Sequence, residues 1–208
     1  MHGELNVSLT LGGRPIRAEE TQLFTSGELN SDEVRGTVNS GTRSDYDAVS
    51  NSFVWPTLFS DKFFEVLDTV QAKGYRKAPV KLVDKKGSPI EGFSALVVLG
   101  RSGPILKSKC QPFIAPPPVP AGRASMKFKG IHIDESSMDG SDLFIPEGTM
   151  MTVVTEKVWA ALLKAKLKNL KLVPLLEDDV HFSNEEIAAV FGQEYLEDLK
   201  KKNLVFVG

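Results

Sequence analysis

Ser60-Asp61-Lys62-Phe63-Phe64-Glu65-Val66-Leu67 and Thr155-Glu156-Lys157-Val158-Trp159-Ala160-Ala161-Leu162 align without a gap at an offset of 95 residues. In each, a hydroxyl residue able to cap a helix precedes an acid, a lysine and paired bulky apolar positions. Phe63, Val66, Leu67 and Val70 recur at helical spacing in the first stretch, and Val158, Trp159, Leu162 and Ala165 in the second. Both stretches therefore predict an amphipathic helix, and Gly74 supplies a C-terminal stop for the first. A strand pattern follows each helix, Pro79-Val80-Lys81-Leu82-Val83 in one case and Leu170-Lys171-Leu172-Val173 in the other. The order strand, cap, helix, strand thus occurs twice. It predicts an α/β (or α+β) fold, a mixed sheet with two similar units in which each helix covers a sheet with its apolar stripe.

Outward from these units the patterns change. Leu5-Asn6-Val7-Ser8-Leu9-Thr10-Leu11 alternates apolar and polar and stops at Gly12-Gly13, which reads as a half-buried strand. From Arg14 to Ser52 the chain is polar and irregular, and long loops with short pieces of structure are expected there. Lys85-Lys86-Gly87-Ser88-Pro89 reads as a turn, and Gly92 to Leu99, the most hydrophobic stretch, as a buried strand. Lys127 to Ile133, Leu143 to Pro146 and Met150 to Val154 predict further strands. Ser183 with Glu185 and Glu186 behind it opens a short C-terminal helical segment; a second helix spans Gln193 to Lys202, and Leu204-Val205-Phe206-Val207 closes the chain as an edge strand or docking segment. Residues 1–208 are expected to form a single globular protein. The alternative is two lobes, 1–114 and 123–208, joined by the extended Pro-rich segment 115–122.

The bulk composition excludes several functions. Hydrophobic residues make up 41% and charged residues 25%, the balance of an ordinary folded protein. A net charge of −2 supplies no global field toward nucleic acid or an anionic membrane, so neither is an expected partner. No apolar stretch is long enough to span a bilayer, and Met1-His2-Gly3-Glu4-Leu5-Asn6-Val7 lacks the basic start and apolar run of a secretion signal. Cys110 is the only cysteine, so no intrachain disulfide can form, which fits the cytoplasm.

No residue cluster demands a particular chemistry. His2, His132 and His181 lie far apart, and none belongs to a metal-ligand pair. Gly100-Arg101-Ser102-Gly103 lacks the ending of a phosphate loop. Neither a catalytic residue nor a metal ligand nor a cofactor is expected. The densest candidate is the acidic stretch between Ile131 and Gly148, with five carboxylates, Asp134, Glu135, Asp139, Asp142 and Glu147, and no lysine or arginine. Asp139-Gly140-Ser141-Asp142 reads first as a good turn, second as a protein-binding acidic surface, third as a metal site and last as a catalytic pair. Lys157, Lys164, Lys166, Lys168 and Lys171 follow it closely, and pairing with these is the plainer account of the loop.

Gly130-Ile131-His132-Ile133-Asp134-Glu135-Ser136-Ser137-Met138-Asp139-Gly140-Ser141-Asp142-Leu143-Phe144, with Val154-Thr155-Glu156-Lys157-Val158 and Leu167 to Leu172, resembles a bacterial family. That family was first catalogued as uncharacterised and then assigned as immunity proteins of polymorphic toxin systems. The resemblance covers about residues 50 to 176. Met138 stands where the family pattern has a tryptophan, and the paired Cys-x-x-Cys of some relatives has no counterpart. The resemblance implies a cytoplasmic antidote that binds a cognate protein toxin through the acidic loop and blocks it, without being an enzyme. A small-ligand-binding protein or enzyme with an unrecognised pocket is the alternative, and a scaffold subunit a third.

Overall fold

The period-two pattern near the N-terminus becomes strand β1 (Asn6–Leu11), which pairs antiparallel with β2 (Arg14–Pro15) and β3 (Val34–Ser40) in a computed structural model of the chain. The structure describes residues 6–11, 14–15, 20, 34–40, 46–49, 58–117 and 122–205. It is an α/β fold with mixed sheets, and it divides into two compact units. The first is Met1–Ser102 with Met138–Lys171, and the second is Gly103–Ser137 with Leu172–Gly208.

In the first unit, β4 (Ala48–Val49), β5 (Leu58–Ser60), β6 (Tyr75–Pro79), β7 (Lys81–Val83), β8 (Pro89–Ile90), β9 (Phe93–Val98) and β10 (Gly100–Ser102) follow β3, with helix α1 (Asp61–Thr69) between β5 and β6. One sheet has the order β2-β1-β3-β7-β8, with β3 and β7 parallel, and another is the antiparallel set β4-β5-β9-β6. Val38, Val49, Leu58, Ala78, Leu82, Ala95 and Val97 form a core between strands of both. Helix α1 buries Phe63, Phe64 and Leu67, with the Phe63 ring stacked 3.9 Å from that of Phe59. Asp84 accepts from the N–H groups of Lys86 and Ser88, both at 2.8 Å, which makes the expected turn between β7 and β8.

The second unit opens with β11 (Gln111–Ala115) and β12 (Ser125–Lys129). These two strands pair with each other antiparallel, and they flank in sequence the Pro-rich segment 115–122, of which residues 118–121 lie outside the described residues. The chain then returns to the first unit for β13 (Leu143–Pro146), β14 (Val153–Val154) and helix α2 (Glu156–Ala165), where β10-β13-β14 form a third sheet. It ends in the second unit with β15 (Asp179–Val180), α3 (Asn184–Phe191) and α4 (Gln193–Lys201). Phe128 is fully buried there, 4.2 Å from the Phe182 ring and 5.2 Å from the Phe191 ring. Helix α3 starts in a reciprocal capping box: Ser183 Oγ accepts from Glu186 N–H, and the Glu186 carboxylate accepts from Ser183 N–H.

Three expectations are corrected. The polar stretch 14–52 holds the short pieces β2 and β4, but also β3, a full strand of seven residues. In β3, glycine and small polar residues hide the alternation: Gly36 and Val38 are both buried, and β1 and β7 supply ladder partners on either side. Leu170 to Val173 is not a strand. Its counterpart β6 pairs with β9, and the positions equivalent to β9, 188–193, are helical apart from Gly192, so the second copy has no strand to pair it with. Leu204 and Val205 are not in a strand, but Leu204 docks on β12, its carbonyl accepting from Met126 N–H at 2.8 Å; residues 206–207 lie outside the described residues, as does His2.

Candidate functional site

The acidic stretch falls across the boundary of the two units. Asp134 and Glu135 belong to the second, and Asp139, Asp142 and Glu147 to the first.

In the second unit, Asp134 Oδ1 accepts from the N–H of Ser136 at 3.0 Å and from its hydroxyl at 2.7 Å. These bonds, the Ser136 hydroxyl first, hold the Asp134 carboxyl below its ordinary range. Ser137 N–H donates to the Asp134 carbonyl, and its hydroxyl accepts from Gly103 N–H at 2.9 Å. The result is a hydrogen-bonded 3-10 turn, Glu135–Ser137, with Glu135 exposed.

In the first unit, Asp139 Oδ2 accepts from Arg101 N–H at 2.8 Å and Oδ1 from Ser141 N–H at 2.9 Å. Asp142 is held more fully. Its Oδ1 accepts from the Thr155 hydroxyl at 3.0 Å, and its Oδ2 from Lys73 N–H at 2.9 Å and Lys157 Nζ at 2.7 Å. The Asp142 side chain is only 13% exposed, and burial by itself favours its neutral form. The bonds from Lys157, Lys73 and Thr155 outweigh burial, so the carboxyl lies below its ordinary range. Asp139 follows the same pattern: burial opposes ionisation, and donors from Ser141 and Arg101 prevail. Glu147 is exposed after β13.

The partners of Asp142 expose a site that composition and motif reading missed. Asp47 lies at the same offset of 95 residues before Asp142 as Ser60 before Thr155 and Lys73 before Lys168. Asp47 Oδ1 accepts from the Ser60 hydroxyl at 2.7 Å, and Oδ2 from Lys168 N–H at 2.8 Å. The backbone repeats the same scheme. Asp47 N–H donates to the Lys168 carbonyl, and Asp142 N–H to the Lys73 carbonyl. Ser60 N–H donates to the Asp47 carbonyl, and Thr155 N–H to the Asp142 carbonyl, both at 2.9 Å. Each half's aspartate therefore clasps its own helix start and the loop after the other half's helix.

Strand registers agree as well. Ala48 faces Phe59 and Val49 faces Leu58, while Leu143 faces Val154 and Phe144 faces Val153. Gln71 and Lys166, again 95 apart, both have φ of 50°, and Gly74 and Asn169 both have positive φ. The internal correspondence is thus a repeat with reciprocal contacts. Extending the alignment upstream from Ser60 and Thr155 reaches Asp47 and Asp142, and that extension was the available signal. The two hydroxyls do not cap their helices, contrary to expectation. They donate to carboxylates instead of accepting from helix N–H groups.

The remaining candidates are placed simply. Cys110 is buried, and burial pushes its thiol up, which disfavours a reactive thiolate. His132 is half-buried and His181 exposed. Lys157 pairs with Asp142, while Lys164, Lys166, Lys168 and Lys171 are exposed. Among the described residues, no three His, Cys, Asp or Glu side chains are grouped to hold a metal ion, and no helix is long and apolar enough to cross a membrane. No known family model matches the chain, and no curated protein matches it significantly.

Proposed function

We propose that this chain is an immunity protein, which binds a cognate bacterial toxin and neutralises it by covering part of its surface. The reading is supported by the resemblance carried by Gly130 to Phe144 and by one structural observation. Within it, Asp134 in the second unit is held by Ser136 and Ser137, and Asp139 in the first unit is held by Ser141 and Arg101, and both aspartates are exposed. A surface already held in place loses less conformational entropy on binding than a mobile loop. Exposed carboxylates on it would steer a basic partner.

The geometry also selects the residues to test. Asp139 and Asp142 hold the fold, so reversing their charge would confuse folding with binding. Glu135 and Glu147 are exposed, and neither side chain takes part in these networks. Co-expression with the product of the neighbouring gene should rescue growth and give a co-purifying complex. Glu135→Lys or Glu147→Lys should then slow association at low salt while leaving the free protein's unfolding midpoint in place. Absence of rescue and of a complex would overturn the reading.

A further inference from the structure

Among the described residues, one edge of the second half has no strand paired with it. In the first half, β5 lies between β4 and β9, with Leu58 facing Ala95, Phe59 facing Ser94 and Ser60 facing Phe93. One further backbone bond, Asp61 N–H to the Gly92 carbonyl at 2.9 Å, extends that ladder. In the second half, β14 pairs with β13 in the same register as β5 with β4, but β14 is the last strand of its sheet. Among the described residues no strand pairs with its other edge. The residues equivalent to β9 belong mostly to α3 and α4.

The backbone groups on that edge can be identified. Leu143 N–H donates to the Lys73 carbonyl at 3.0 Å, so the pair Leu143 and Val154 does not exchange hydrogen bonds. Val154 N–H and C=O consequently point away from β13, as those of Phe59 point toward Ser94. Glu156 N–H, the counterpart of Asp61 N–H, points the same way and lies on an exposed residue. Val153 is buried like its counterpart Leu58, which faces Ala95. Thr152 Oγ1, just before the strand, is buried without a hydrogen-bond partner.

From this geometry we infer that the outer edge of β14 takes up an extended segment of the protein partner, added antiparallel as β9 is added to β5, with a small apolar residue opposite Val153. The inference rests on the reading of the chain as a partner-binding protein but not on the partner's being a toxin.

The test uses the full chain, isotopically labelled, and a peptide of the chain's own residues 90–98, the sequence that fills the equivalent edge, with lysines added for solubility. In the free protein the Val154 and Glu156 amides should exchange readily with solvent. Titration should shift these two amides saturably and protect them. N-methylation of the peptide nitrogen corresponding to Ser94 should weaken binding by about tenfold or more, from the loss of a paired backbone bond. This modified peptide avoids relying on Val154→Pro, which could disturb folding. Protection of both amides in the free protein, shifts at Phe59 and Asp61 instead, equal binding of the methylated peptide or no binding would each overturn the inference. Protection that grows with protein concentration alone would assign the edge to self-association and overturn it too. If the peptide binds while toxin rescue fails, the edge stands and the immunity reading falls.

Discussion

At the scale of single residues, Asp142 and Asp47 perform the same task with different donors. Both accept a helix-start hydroxyl and a loop N–H, but only Asp142 also accepts Lys157 Nζ, whereas Lys62, the counterpart of Lys157, is exposed. A hydrogen bond to a charged acceptor contributes about 1.5–3 kcal/mol, and truncating the acceptor leaves its donors unsatisfied. Asp142→Ala should therefore lower stability by about 3 kcal/mol and Asp47→Ala by about 2 kcal/mol, read as shifts of the urea midpoint at constant slope. Losses under 0.5 kcal/mol for both, on the order of an ordinary surface change, would remove the clasps from the account of the fold. Thr155→Val keeps the side chain's shape and deletes the donor, and about 1 kcal/mol should be lost in the same measurement.

Among the elements, close approach decides more than propensity does. The entry to β13 packs against two glycines: a Cβ on Gly74 or on Gly100 would run into the Leu143 carbonyl oxygen and the Ser141 side chain. Gly74 O also accepts from Leu99 N–H and Gly100 N–H, at 2.8 and 3.1 Å, which ties the loop after α1 to the start of β10. Gly100→Ala should cost about 2–3 kcal/mol by overpacking, whereas Gly87→Ala, at φ 82° in open space, should cost only the left-handed backbone penalty of about 1 kcal/mol. A thermal scan of the two variants that placed them in the reverse order would refute the packing argument. The same elements show what could be read from the chain alone. Both helices were legible because Phe63, Leu67, Val158 and Leu162 are periodic over a full local window, and all four are buried. The clasps were not, because Asp47 and Asp142 each act across 13 residues to a hydroxyl that local pattern assigns as a helix cap. Leu170 to Val173 has strand composition, yet a strand needs a neighbour, and the chain that would have supplied one is helical. The acidic loop was legible as a turn, but which of its five acids are held inward depends on Lys73, Arg101 and Ser141, two of which are remote in sequence.

For the whole molecule, the ionisable groups with displaced titration all act in one direction at each end of the pH scale. Asp139 and Asp142 in the first unit and Asp134, Glu185 and Glu186 in the second are all held below their ordinary carboxyl values. A carboxyl depressed in the folded state adds stability that is fully present above its unfolded value, about 4, and is lost as pH falls through the folded value. The Cys110 thiol, raised by burial, adds stability present below the ordinary thiol range and lost as pH climbs through it. Tyr75, raised first by burial and then by its hydrogen bond to Asp68, acts in the same sense at higher pH. The urea midpoint should accordingly be flat between about pH 6 and 8, and fall both below about pH 5 and above about pH 9. Asp142→Asn isolates one contribution to the acid limb. Its deficit relative to the parent chain should be greatest near pH 7 and shrink as acid protonates Asp142 itself, because a protonated aspartate, like asparagine, carries no charge for Lys157. A deficit that stayed constant down to about pH 3 would mean that the Asp142 charge contributes nothing and that only the shape of the side chain holds the two halves together.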